Sequence, residues 1–293
     1  MNKSQIKSFL KKQIKLSCYA EMDSLKPGNV HKYSSGHGMS IKDFYASADI
    51  IANYLTKDNS HFSKKILKCV KEIKKRIKQN TNLGIILLLA PIVSIILEVG
   101  ILDKKSLYKK ISLFIKNQTI KNSIPIYSAI KIAAPGGLGN SIKYDVNKLP
   151  NITLYKAMNY SSKKDLIAKQ YVTGFGDIFT IGLPAYKKFK NIWHSEKWAL
   201  TGVYLTFLKK LTDSHIKRKN GKKIAEKIKI EAKKYYKLIK NNKNSGEIDK
   251  ITKKLLFFDK KLKYMQINPG TTADLTVATF FVEKVTQKQQ KKI

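Results

Sequence analysis

Arginine is almost missing from this chain. Of its 58 basic residues only Arg76 and Arg218 are arginine, against 20 acidic residues and a formal net charge of +38. Base readout and bidentate phosphate clamping favour the planar guanidinium fork over the lysine ammonium. No nucleic-acid module accompanies the charge, so no specific nucleic-acid partner is expected, and an anionic small substrate fits the same surplus. Cysteine is scarce as well. Cys18 and Cys69 both lie in helical patterns and form neither a disulfide framework nor a metal cluster, which makes them small core residues of a protein expected in the reducing cytoplasm. The N-terminal stretch lacks the compact apolar region and small-residue cleavage site of a secretory signal. Strand alternation is nearly absent, no internal repeat is evident, and no shift of composition divides the chain. The expectation is an all-α protein, one multi-helix globular domain over residues 1–293.

What is present is helical periodicity punctuated by glycine, proline and asparagine. Ile6, Phe9, Leu10, Ile14 and Cys18 mark a first helix. Phe44, Ala48, Ile51 and Leu55 after a Ser40 cap mark a second, and Phe62, Ile66, Val70, Ile73 and Ile77 a third. Further helices are expected near 105–118, 125–133, 153–160, 163–182, 192–211, 221–241, 247–265 and 272–285. Breaks fall at KPGN (26–29), SSGHG (34–38), APGGLGN (134–140), KLPN (148–151), NKNSG (242–246) and NPG (268–270). The most apolar run, TNLGIILLLAPIVSIILEVGIL at 81–102, approaches the ~20 residues that cross a bilayer. It contains Pro91 and Glu98, and equally lysine-rich flanks give it no orientation bias. It is therefore expected to be a buried central helix, with no membrane partner.

Six stretches carry a family signature: SLKPGNVHKYSSGHG, NTNLGIILLLAP, AIKIAAPGGLGN followed by Asp145, KKDLIAKQYVTGFGDIF, LTDSHIKRKNG and NPGTTADLTVATFF. In this order, over residues 20–285, they resemble the triphosphoribosyl-dephospho-CoA synthase family, and more closely its archaeal and methylotroph branch. The resemblance implies an enzyme that takes ATP as substrate. It displaces adenine and attaches the triphosphoribosyl group to the ribose 2′-hydroxyl of 3′-dephospho-CoA, giving the precursor of a lyase prosthetic group. Citrate-lyase members carry Thr-Asn-Thr-His-Lys where this chain has Thr81, Asn82, Leu83 and Gly84, so a basic patch has become apolar. The acceptor is accordingly expected to be CoA-like or another ribose-bearing small molecule. A protein of the same fold that binds nucleotide or cofactor without turnover is the alternative. Assembly with further copies of the chain is compatible with the sequence.

Such a transfer builds positive charge on the ribose and calls for carboxylates near C1′, a proton carrier, and oxygen ligands for Mg²⁺ at the triphosphate. In KPGNVH, Lys26, Gly28, Asn29 and His31 are candidates for phosphate or sugar contact, with His31 also a proton carrier. Turn chemistry alone makes the same residues a solvated connection. His37 and His31 lack the carboxylate pattern of a zinc site. Gly136, Gly137 and Gly139 could line a phosphate or merely end a helix, and the GKS or GKT ending of a P-loop is absent. Asp165 and Asp177, twelve apart, cannot act together on one straight helix, and Asp177 among apolar neighbours is the stronger candidate. Asp213, His215, Arg218 and Lys219 place an acid, an imidazole and two cations within seven residues. Thr271 and Asp274 read as an N-cap and a capping-box partner, while the resemblance makes Asp274 a functional acid. The expected site thus has Asp177, Asp213, His215 and His31 in catalysis and Asp177, Asp213 and Asp274 on Mg²⁺. Lys26, Gly28, Asn29, Asn82, the three glycines, Arg218 and Lys219 complete it at the substrate.

Overall fold

Capping chemistry starts the first two helices where the sequence puts them. In the computed structural model, which describes residues 1–57, 60–79, 81–242 and 245–287, α1 (Lys3–Met22) begins with Asn2 and Gln5 exchanging side-chain and backbone hydrogen bonds. Helix α2 (Ile41–Leu55) begins with the same exchange between Ser40 and Asp43. Helix α3 (Phe62–Ile77) follows, burying Phe62, Ile66, Cys69, Val70 and Ile73 along the expected stripe. Among the described residues there are fourteen α-helices and no strand, so the chain is all-α.

The apolar run becomes α4 (Leu83–Val99), buried along nearly its whole length and packed on α3 and on the last helix, α14 (Gly270–Thr286). No single helix among the described residues is long and apolar enough to cross a membrane. Glu98 lies exposed at the end of α4, and Gly100, at φ 87°, turns the chain away. Pro91 has no N–H and so leaves the Leu87 carbonyl without its helical partner. The hydroxyl of Tyr171 donates to that oxygen at 2.7 Å, and both groups are buried. Helix α14 is buried on almost every side. The hydroxyls of Thr276, Thr279 and Thr286 bond back to the carbonyls four residues earlier, which satisfies polar groups inside the core.

Between these two helices run α5 (Lys104–Lys116), α6 (Ile120–Ala133), α7 (Leu154–Ser161), α8 (Leu166–Thr173), α9 (Leu183–Trp193), α10 (Glu196–Lys210), α11 (Ser214–Asn220), α12 (Lys222–Asn241) and α13 (Ile248–Tyr264). Two expected helices are corrected. The segment 163–182 is not continuous, because Gly174 and Phe175 both take positive φ, at 61° and 67°, and a π-helical turn, Ile178–Gly182, leads into α9. The segment 192–211 breaks at His194, also left-handed, before Ser195 caps α10. Helix α14 starts at Gly270 behind Pro269 without any side-chain cap, so Thr271 is no N-cap and Asp274 no capping-box partner. The break at 242–246 lies partly outside the described residues.

The bond from Tyr171 to Leu87 is what lets a proline sit in the central helix. Tyr171→Phe removes only the hydroxyl and leaves a buried carbonyl unsatisfied, so it is expected to destabilise the fold by about 1–3 kcal/mol. The urea midpoint, with an unchanged slope, measures it.

Candidate functional site

The beginnings of α4, α8 and α14 meet around one cavity of about 520 Å³, closed on its other sides by α7 and the loop after α6. That volume lies in the range of roughly 300–1,000 Å³ usual for small-molecule sites. Ile130, Leu154, Met158 and Ile167 form an apolar wall, while Glu21, Asn29, Asn82, Asp165, Asn268 and Asp274 bring polar groups to it. Three helix N-termini bring the positive ends of their dipoles toward the same space, which suits an anion. The first amides of α4 have no capping side chain, whereas α8 gives amides to Asp165 and Ser214 and α14 gives one to Asp213.

Two carboxyls dominate the buried side. Glu21 continues the apolar stripe of α1, one turn after Ser17 and Cys18, so the helix carries it inward. Lys26, without solvent exposure, pairs with Glu21 and donates to Asn29 Oδ1 at 3.0 Å. Asn29 in turn donates to Asn268 Oδ1 at 2.8 Å. Burial raises the Glu21 carboxyl and lowers the Lys26 ammonium, each opposed by the other's charge. Asp274 projects from the second turn of α14 toward α4, where Gly84 makes room for it. A Cβ at Gly84 would stand 2.1 Å from Asp274 Oδ2. Burial first, then the charges of Glu21, Asp213 and Asp165, push the Asp274 carboxyl well above the ordinary carboxylate range, with Arg218 pulling the other way.

The opposite wall joins the glycine loop to α11. Ala134 caps α6 in a left-handed conformation, and Gly137 follows at φ 71°. A Cβ on Gly137 would meet the Arg218 backbone at 2.9 Å, and one on Gly270 would meet His215 Nδ1 at 2.5 Å. Glycine is needed at both places for close approach. His215 lines the cavity, its imidazole pushed down by burial against the attraction of Asp213. Arg218 lines it too and pairs with Asp165, whose other oxygen caps α8 through the Ala168 amide.

Asn29, Asn82, Gly136, Gly137, Gly139, His215, Arg218 and Asp274 therefore share one cleft. The other candidates do not reach it. Lys26 is spent on Glu21 and Asn29. Gly28 holds a tight turn at φ 86° and donates its N–H to Asp259 at 2.8 Å. His31 faces the same Asp259 at 3.3 Å and not His37, whose Nε2 donates to the Gly28 carbonyl at 2.8 Å. Asp177 accepts from Lys169 at 2.9 Å and from Gln170 at 2.7 Å, clamping the break after α8. Asp213 is saturated: one oxygen accepts from the His215 and Ile216 amides, the other from the amide and hydroxyl of Thr272, at 2.7–3.0 Å. It joins α11 to α14. Lys219 is exposed outside the cleft. The expected Mg²⁺ set of Asp177, Asp213 and Asp274 is thereby corrected, since no three His, Cys, Asp or Glu side chains gather as a metal-holding group among the described residues. Sequence reasoning missed Glu21, Asn268 and Gly84, and ranked Asp165, which lines the cleft, below Asp177, which does not. Glu21 carried a readable signal, an acid on the buried stripe of an amphipathic helix.

Comparison with known proteins follows this geometry. A family model described as CitG: ATP:dephospho-CoA triphosphoribosyl transferase matches residues 7–293. A crystal structure from Archaeoglobus fulgidus, provisionally described as a triphosphoribosyl-dephospho-CoA synthase, superposes with a TM-score of 0.60 at 22% identity, covering 82% of this chain and 98% of that one. At that identity the likeness concerns the fold. No curated protein matches.

Substitutions at Gly84 and Asp274 probe the acid in its niche. Gly84→Ala is expected to cost about 1–3 kcal/mol by displacing the Asp274 carboxylate. The double variant Gly84→Ala/Asp274→Ala should cost less than the sum of the two singles, which a double-mutant cycle of urea midpoints reads. Asp274→Asn addresses the pH dependence. A raised native pKa means that the folded chain keeps a proton the unfolded chain releases above about pH 4, so the wild type loses stability as pH climbs from there toward the native pKa. In metal-free buffer, Asp274→Asn should gain on the wild type across that interval, and a pH-independent difference between the two would refute the assignment.

Proposed function

The chain belongs to the CitG family, the ATP:dephospho-CoA triphosphoribosyl transferases, and from that premise we propose that the whole chain works as one catalytic unit whose cleft joins ATP to a dephospho-CoA acceptor. The observation that carries this is the pairing of Glu21 and Asp274 on the buried side of a cleft rimmed by three helix N-termini and a glycine loop. Triphosphate binds against the uncapped N–H groups of α4 and the loop 136–139, in the dipole field of α8 and α14, with Arg218 and Lys164 as counter-charges. Asn29, Asn82 and Asn268, which can donate and accept, hold the ribose hydroxyls.

The acceptor's 2′-hydroxyl oxygen forms a bond to C1′ of the ATP ribose while the bond from C1′ to the adenine nitrogen breaks. His215, kept neutral by burial, takes the hydroxyl proton. An equal proton reaches the departing adenine from solvent, so none is gained or lost. Positive charge grows on the ribose as adenine leaves, and carboxylate groups beside it stabilise that charge. The donor set also fits Mg²⁺, which is commonly held by one or two carboxylates together with substrate phosphates. Glu21 and Asp274, two acids crowded on one wall of the cleft, would hold it, and it would supply neutralising charge to the triphosphate.

Chromatographic measurement of adenine released from ATP tests the proposal. Release is expected only with the protein, Mg²⁺ and 3′-dephospho-CoA together, and His215→Asn should lower it about 100-fold or more while leaving the fold intact. Tight ATP binding with no release under any of these conditions would overturn it.

A further inference from the structure

Tyr144 holds a backbone conformation that a bulky side chain normally avoids, with φ at 57°. Such strain persists only where the surroundings over-determine it. Here the Tyr127 hydroxyl donates to the Tyr144 carbonyl at 3.2 Å. The neighbouring Asp145 accepts from the amides of Ser141 at 2.5 Å and Asn147 at 2.7 Å, tying the loop into a knot on either side. The strain does not bury the ring. It sets Tyr144 edge-to-face with Tyr160 on α7, with centroids 5.4 Å apart and planes at 90°, and both residues remain 40% exposed at the cleft. An aromatic pair held in water by a strained loop gains little of the burial that usually rewards such side chains. Asn140, four residues before Tyr144, lines the cleft as well, and its amide makes no hydrogen bond among the described residues.

We propose that the Tyr144–Tyr160 pair is a stacking platform for a purine base, with Asn140 as the amide that reads the base edge. Every base offers a π-face to an aromatic ring, and an asparagine amide matches the adjacent acceptor and donor on the edge of adenine. The platform rests on the transferase assignment only for the source of the base, since donor and acceptor each carry an adenine.

The test uses the full chain with two separate probes, adenosine and inorganic tripolyphosphate, titrated by calorimetry. Tyr160→Leu should weaken adenosine about ten-fold, in keeping with loss of one base–aromatic stack, and leave tripolyphosphate unchanged. Tyr160→Phe, which keeps the ring, should bind adenosine as the wild type does. Unchanged adenosine affinity in Tyr160→Leu, no adenosine binding by the wild type, failure of the phenyl ring to restore it, or equal loss of both probes would each overturn the platform. Its failure is distinguishable from failure of the transferase assignment. Wild-type adenine release without adenosine binding at the pair defeats only the platform; adenosine binding without adenine release under any condition defeats only the transfer. In turnover, a rise in KM confined to ATP assigns the platform to the leaving adenine, and one confined to dephospho-CoA assigns it to the acceptor's.

Discussion

The ion pair of Lys26 with Glu21 is the contact on which the cleft is built. Both side chains are almost wholly buried, and two ions in a low-dielectric interior are tolerable only when they satisfy each other and much of their remaining bonding capacity is used. Lys26 meets that condition by also donating to Asn29, and Asn29 passes the connection to Asn268 at the entry to α14. Three hydrogen-bonding steps thus join the end of α1, the 26–31 turn and the start of α14. Asp213 adds α11 to the same junction through Thr272. Lys26, Asn29 and Asn268 thereby form a connected buried network, the form in which buried polarity rigidifies a site.

That network explains why several plausible catalytic residues are structural. A charged side chain near a functional loop can either face the ligand or hold the loop, and its hydrogen-bond count separates the two. Lys26, Asp177 and Asp213 each have several protein partners, and none lines the cleft. Asp259 belongs with them. Burial pushes its carboxyl up, but His31, Lys263 and the Gly28 amide outweigh that and hold it low, so it serves as an anionic anchor for the turn that presents Asn29. His215, in contrast, keeps its imidazole toward the cavity while its backbone amide alone is capped.

Periodicity and one cap made most of the fold legible. Ser40 caps its helix as expected, and the lack of strand alternation is matched by an all-helical chain, while the Ser195 cap fell inside a segment expected to be one continuous helix. The break at His194 escaped because it is a left-handed residue with no glycine beside it, where tertiary packing overrides local preference, whereas the one at Phe175 lies between Gly174 and Gly176 in a segment whose helical pattern outweighed them. The site was legible in part because its glycines and asparagines sit in sequence-adjacent motifs. What was not legible is pairing across the chain: that Asp165 meets Arg218 fifty-three residues on, or that Asp213 bonds Thr272 fifty-nine residues on. Those separations are set by how helices pack, and no local spacing encodes them.

The apolar substitution at 83–84 acquires its reason from the same packing. Citrate-lyase members of the family place Thr-Asn-Thr-His-Lys there, whereas this chain turns into α4 at Asn82, left-handed at φ 65°, and follows with Leu83 and Gly84. Leu83 is buried in the core, and Gly84 gives up its side-chain volume to the Asp274 carboxylate. A histidine at Gly84 would occupy the space the acid now fills, so the position and the acid are steric alternatives in this arrangement. Leu83 and Gly84 bring no charge to Asp274, whose carboxyl is raised by burial and three acids against the pull of Arg218. A glycine at the head of the central helix is thus what makes room for the Asp274 carboxyl on this wall of the cleft.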